Sequence, residues 1–282
     1  MKHPEKWRET ANPFELPYKR FELKRVLGYP HARNDVFHVE GKYLGKNVEA
    51  YIKVARQEDS DIKNEVEVIS KINCPLAPQI LDCDEKCENF VVQTAMGGER
   101  LSYILSQDSN ENSLDYMFEY GRTLAKLHAC KGEFQVVKDR KFFHIPSTTF
   151  FEENGLEYVY DFLVKNKPKT VNECFCHGDF HYANVLFENK MVSAILDFEL
   201  AGLGNREFDI AWAIIRRPGQ TFLKSEKEVE EFLNGYTSLE KCNADFVKYY
   251  MVLIYTYFYE IGIKNSEYTS YVKSVFYDVC KA

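Results

Sequence analysis

The sequence predicts an α+β protein with a strand-rich first part, residues 1–96, and a larger, mainly helical second part, residues 97–282. Two patterns carry that reading. Short alternating and β-branched runs crowd the first part, whereas the apolar residues of the second recur at three- and four-residue spacing. No internal repeat or low-complexity tract interrupts either part.

Lys24–Gly28 and Asp35–Val39 are short β-type runs around a turn-rich stretch, and Val48–Val54 alternates as a strand does, with Lys53 near its end. Glu65, Val68, Ile69 and Ile72 share one helical face, and Pro75 stands just past its end. Phe90–Thr94 is a further strand. Gly97-Gly98 reads as a hinge, so the linker falls near Thr94–Gly98. Leu114, Met117, Phe118, Gly121, Leu124 and Ala125 then align on one face of a helix over Asn112–His128, which Asn112 can cap. Val185–Phe187 and Val192–Leu196 flank Asn189-Lys190 as the arms of a hairpin. Two late helices are expected, Glu226–Tyr236 and Ala244 to about Ile261.

Composition narrows the function. A formal net charge of −7 over 282 residues weighs against a nucleic-acid binder, which needs a basic face, and is compatible with a cationic ligand. The polar stretch Met1–Arg20 has no apolar core of a secretory signal, and no apolar run is long enough to span a bilayer. Eight scattered cysteines suit a reduced, cytoplasmic protein. Cys83 and Cys87 have a plausible metal-ligand gap, but Cys174 and Cys176 are too close and lie in an apolar strand pattern. Free thiols are expected rather than a zinc site.

The chemistry is concentrated in Cys176–Phe187 and Ile195–Glu199. Asp179, Asn184 five residues on, and Asp197 at the end of the next apolar run are the side chains that phosphoryl transfer needs. One carboxylate receives or orients the attacking hydroxyl, while an amide oxygen and a second carboxylate hold Mg²⁺ on the triphosphate. Mg²⁺ fits because it takes few protein oxygens and completes its shell with phosphate and water. Taken singly, an Asp after Gly is a turn residue and an Asn before a strand is a loop polar group. The joint pattern, His-x-Asp-x-x-x-x-Asn followed by Ile-Leu-Asp-Phe, is far more specific.

Lys53 is an independent indication. A lysine near the end of an alternating strand suits contact with the α- and β-phosphates, and its partner would be Glu65 on the next helix, with Glu67 the second choice. Gly28–Asn34 holds one glycine and matches neither phosphate-loop pattern. Its backbone, with Asn34 or His31, could approach phosphates, or it could be a plain hairpin turn.

The chain resembles the aminoglycoside phosphotransferase and choline kinase superfamily, in Gly121-x-Thr-Leu-Ala-x-Leu-His128, His177-Gly-Asp179-x-His181-x-x-Asn184, Ile195-Leu-Asp197-Phe-Glu199 and Asp209-Ile-Ala211. The resemblance implies a two-lobed, protein-kinase-like α+β fold, with a small antiparallel-sheet N-lobe and a larger, mainly helical C-lobe. It implies ATP or GTP bound near Thr94–Met96; Gly28 and Asn34 are the candidate phosphate-side contacts from the loop itself. It makes Asp179 the catalytic carboxylate, Asn184 and Asp197 the Mg²⁺ ligands, and Lys53–Glu65 the phosphate-positioning pair. His177 and Asp209 become structural supports of the catalytic loop. Phe180 and Tyr182-Ala183 depart from the commoner Leu and Pro-Gly around His181.

By resemblance the acceptor is an aminoglycoside or other hydroxylated antibiotic, choline, ethanolamine, or another small alcohol. Tyr257, Glu260 and Glu199 are the candidate acceptor contacts, since aromatic faces and a carboxylate could hold a cation. The same aromatics sit at helical spacing and read as core ahead of acceptor contacts. A cationic, aminoglycoside-like acceptor is expected ahead of choline or ethanolamine. A catalytically silent binding module is the third reading, and no nucleic-acid, membrane or protein partner is implied.

Overall fold

The computed structural model describes residues 11–30, 33–106 and 111–281. They form two compact units. The first ends at Gly98 and takes in Lys131–Glu133 and Ser193–Ala201; the second holds Glu99–Cys130, Phe134–Val192 and the chain from Gly202 on. The chain therefore re-enters the first unit midway through a strand, and this return carries Asp197 and Glu199.

In the first unit β1 (Phe21–Gly28), β2 (Asp35–Tyr43) and β3 (Lys46–Val54) are followed by helix α1 (Ile62–Lys71) and strands β4 (Ile80–Cys83) and β5 (Phe90–Thr94). The five strands form one antiparallel sheet in the order β1-β2-β3-β5-β4. β2 alternates between buried and half-buried residues, as a strand with one face on a core must. Leu44-Gly45, both at positive φ, close the β2–β3 hairpin with the twist that two-residue turns require. Phe21, Phe37, Val39, Ile52, Phe90 and Val92 fill the core. β4 escapes sequence reading because it has only four residues, one of them the buried Asp82. That carboxylate accepts the N–H groups of Lys19, Arg20 and Phe21 at 2.7–2.9 Å and pins the entry to β1. Just after it, Cys83 and Cys87 are joined in a disulfide, which corrects the expectation of free thiols there. Their Cα atoms lie 5.2 Å apart, a separation that a bridge can span.

The second unit opens with β6 (Glu99–Arg100), α2 (Leu101–Ile104) and α3 (Leu114–His128), then α4 (Thr148–Asn154), α5 (Glu157–Lys165) and β7 (Glu173–Cys176). β8 (Val185–Glu188) and β9 (Met191–Ile195) follow, joined by Asn189-Lys190, both at positive φ as a two-residue hairpin turn demands. β10 (Gly202–Asn205) pairs antiparallel with β7 and leads into α6 (Arg206–Ile214), α7 (Glu226–Thr237), α8 (Ala244–Ile261) and α9 (Ser266–Cys280). α3 starts at Leu114, two residues later than the sequence suggests, and Asn112 accepts from the Leu114 N–H at 3.2 Å. α3 and α7 touch through reciprocal glycines. A Cβ on Gly121 would lie 1.9 Å from the Phe232 carbonyl oxygen, and one on Gly235 equally near that of Phe118. The glycine of the α3 motif is thus there for helix–helix approach. α8 is apolar nearly all round and buries Tyr249, Tyr255 and Tyr259, so most of its aromatics are core. Among the described residues no helix is long and apolar enough to cross a membrane.

Candidate active site

In the first unit, β3 delivers Lys53 to a cluster of carboxylates. Its Nζ lies 2.9 Å from Glu65 Oε2, 2.6 Å from Asp197 Oδ1 and 2.8 Å from Glu199 Oε2. α1 supplies Glu65: Asp61 caps the helix by accepting from the Asn64 N–H at 3.1 Å, which directs Glu65 inward to 1% exposure. Glu67 instead pairs with Lys71 one turn on. Asp197 sits at φ 67°, a left-handed conformation rare outside glycine. Burial works against the Lys53 charge, but Glu65, Asp197 and Glu199 outweigh it and hold the ammonium well above its ordinary pKa. Burial raises Glu65. Three carboxylates against one ammonium leave an excess of oxygen donors, and Asp197 keeps its side chain 44% exposed. A hard divalent cation fits such a donor set.

Glu199 salt-bridges Lys53, accepts from Asn34 Nδ2 at 2.9 Å and takes the Asp61 N–H at 2.7 Å. Asn34 therefore ties the β1–β2 connection to the Lys53 cluster through Glu199. Gly28 ends β1, paired with His38, and His31 lies outside the described residues. Thr94 Oγ1 accepts from the Gln79 N–H at 2.9 Å, and the half-buried Met96 follows as the chain leaves β5.

In the second unit the loop after β7 is built on Asp209. This buried residue of the first turn of α6 accepts from the His177 N–H at 2.9 Å and the Gly178 N–H at 3.1 Å, and its Oδ2 lies 3.1 Å from His128 Nε2. Gly178 stands at φ 76°, so the turn requires glycine. His128, the last residue of α3, also meets the Tyr236 hydroxyl at 2.7 Å. Burial lowers its pKa, but the hydrogen bonds to Asp209 and Cys174 outweigh that and raise it to about 9. Cys174 and Cys176 place their sulfurs 3.8 Å apart and near His128, a grouping that the tight spacing did not suggest.

The loop so held presents Asp179. Oδ1 accepts from Trp212 Nε1 at 2.8 Å, Oδ2 from Asn184 Nδ2 at 3.2 Å, and His181 Nε2 is 3.5 Å away. Asn184 Nδ2 also bonds the Asp179 carbonyl at 3.1 Å, so both contacts use the amide nitrogen and the amide oxygen is left for another ligand. Burial pushes the Asp179 carboxyl up, but the hydrogen bond from His181 and the charges of His181, Arg217 and His177 hold it at about 2.

Sequence reasoning missed Trp212, Arg140 and Arg217. Trp212 had a signal, since it stands one helical turn after Asp209 and so shares its face of α6. Arg140 donates to the Gly178 carbonyl at 2.7 Å from a loop with no motif. Tyr257 is half-buried, 5.3 Å from the Phe142 ring, and Glu260 is exposed and paired with Lys141 at 3.0 Å.

Residues 29–242 match the phosphotransferase enzyme family, and the chain belongs to it. An aminoglycoside 3'-phosphotransferase of Niallia circulans is 31% identical over 97 residues, 34% of this chain and 36% of that one. The chain aligns with only 22% and 36% of the length of two such curated relatives. Among solved structures, aminoglycoside phosphotransferase APH(4)-Ia superposes with a TM-score of 0.61 at 12% identity, covering 92% of this chain and 94% of that one. A choline/ethanolamine kinase family protein from Mesorhizobium loti gives 0.57 at 15%, covering 95% and 88%. These likenesses bear out the α+β, protein-kinase-like fold.

Proposed function

We propose that the protein is a Mg²⁺-dependent kinase that moves the γ-phosphate of ATP or GTP to a hydroxyl of a small molecule. The observation that carries this is the Asp179 constellation: an ionised carboxylate fixed by Trp212 and Asn184 on a loop braced by Asp209. Asp179 orients the acceptor hydroxyl and takes its proton late. Asn184, through its amide oxygen, and Asp197 are the Mg²⁺ ligands; the bound ion would neutralise phosphate charge. Lys53, held by Glu65, positions the α- and β-phosphates. Gly28, Asn34, Thr94 and Met96 remain the proposed nucleotide contacts, with His177 and Asp209 as supports.

An aminoglycoside acceptor, and with it a role in antibiotic resistance, rests on the names of the relatives; choline or ethanolamine rests on a fold neighbour. The two acids proposed to meet a cation lend neither support, since Glu199 serves Lys53 and Glu260 serves Lys141. The test is ADP and GDP release with Mg²⁺ over a panel of hydroxylated acceptors, with Asp179→Asn as the blank. Acceptor-dependent release absent from the blank supports the reading. Release that persists in the blank removes Asp179 from its role, and failure of Mg-nucleotide to raise the thermal midpoint would favour a silent module.

A further inference from the structure

We infer that the acceptor alcohol carries an oxyanion, a carboxylate or a phosphate ester, and that Arg140, with Arg217 beside the same Trp212 ring, is its counter-charge. This rests on the kinase reading of Asp179 and names the substrate class for it.

Both guanidiniums lie against the ring whose N–H fixes Asp179, Arg217 at 4.8 Å from its centroid and Arg140 at 5.9 Å. Among the described residues neither forms an ion pair with a carboxylate. The contrast with two other arginines in the same unit is plain: Arg206 has Glu240 at 3.0 Å and Arg216 has Glu267 at 3.1 Å. Arg217 is only 8% exposed, spends Nη2 on the Trp212 carbonyl at 2.9 Å, and leaves Nη1 buried with no partner among the described residues. Arg140 is half-buried and uses one nitrogen on Gly178. A guanidinium has five donors, and one taken out of water without a counter-ion is costly. Folds tolerate that where a ligand completes the site.

The described surroundings of the two arginines do not supply the missing negative charge. Ring contacts to Phe142, Phe143, Tyr182 and Phe258 stabilise a buried cation by less than its desolvation costs. Asp179 is one anion against two cations, and its carboxylate already holds Trp212 and Asn184. Asp209 is engaged by His128 and the loop amides and forms no ion pair with either arginine. Asp139 is taken by His144 at 2.7 Å, and Glu173 pairs with neither arginine. A cationic acceptor would meet two positive charges with no carboxylate to spare beyond Asp179. An oxyanion meets forked donors whose geometry it matches, with Phe142 and Tyr182 as apolar walls for its carbon skeleton.

Trp212 reports on the site directly. The chain has two tryptophans, Trp7 and Trp212, so a Trp7→Phe background leaves its emission alone. In that background D-glycerate, glycerol 3-phosphate, glycerol, choline and hygromycin B would each be titrated. The expected result is that one of the two anions binds at least about tenfold more tightly than glycerol, and which one does separates carboxylate from phosphate. Arg140→Gln should abolish that preference with Mg-ATP affinity unchanged, and Arg217→Gln should weaken it; Arg140, being partly exposed, carries the test if the Arg217 variant does not fold. The inference falls if neither anion outbinds glycerol, if choline or hygromycin B binds as tightly, or if the preference survives Arg140→Gln. It also falls if the variants weaken Mg-ATP instead, for then the arginines serve the nucleotide. Anion binding without ADP release would spare this site and sink the kinase reading.

Discussion

The Lys53 cluster of the first unit and the Asp179 constellation of the second have opposite charge balances. Around Lys53, three carboxylates share one ammonium. Around Asp179, one carboxylate lies among Arg140, Arg217 and two histidines. In the first, opposite charges meet within hydrogen-bond distance and acid remains in excess; in the second, neither guanidinium pairs with a described carboxylate and base remains in excess. A site with surplus acid draws a metal ion, and a site with surplus base draws an anion.

The largest expected effect breaks the second region. Asp179→Asn should cut turnover by about 10²–10⁴-fold while leaving Mg-nucleotide affinity in place, measured by ADP release beside nucleotide titration. Lys53→Met breaks the first. It strands three carboxylates around an apolar side chain and should destabilise the fold by about 3–5 kcal/mol in urea unfolding. Mg²⁺ should restore part of that loss and stabilise the variant more than the parent; an equal response in both would mean that the cluster holds no metal. Asp197→Ala sharpens the same point, since Mg²⁺-dependent nucleotide binding should disappear and unchanged affinity would strip Asp197 of its role.

A smaller effect is expected from Trp212→Phe, which keeps an aromatic ring and removes the N–H on Asp179. A hydrogen bond to a charged group contributes about 1.5–3 kcal/mol, so turnover should fall by roughly ten- to a hundredfold with the fold intact. The smallest is a pH effect. His128 has its pKa raised to about 9 in the folded chain, from an ordinary value near 6.5. Its contribution to stability is therefore complete below that ordinary value and is lost as pH rises through about 9. Thermal midpoints should decline over that window, and His128→Asn should flatten the decline.

Much of this was legible in the chain. Val48–Val54 alternates, and Lys53 falls where the strand delivers it to Glu65, twelve residues on at the inward face of α1. Asn189-Lys190 announced the hairpin that leads to Asp197. Short or irregular pieces were not legible: β4 is four residues interrupted by a buried aspartate, and α4 is seven residues between loops. The contacts of Glu199 with Lys53, Asn34 and Asp61 were not legible, because a motif gives spacing along the chain but not the unit into which the chain folds back.

What the sequence determined alone was the chemistry available: a carboxylate, an amide and a second carboxylate at fixed spacing, and a lysine on a strand with a glutamate on the next helix. These are local matters, set by strand alternation, helical period and turn geometry within a few residues. Only the tertiary structure decided the charge that surrounds them. Arg140, Trp212 and Arg217 come from a loop, a helix and the segment after that helix, and no periodicity links them. Electrostatic balance depends on distance in space and on exclusion of water, both of which exist only once the chain has packed.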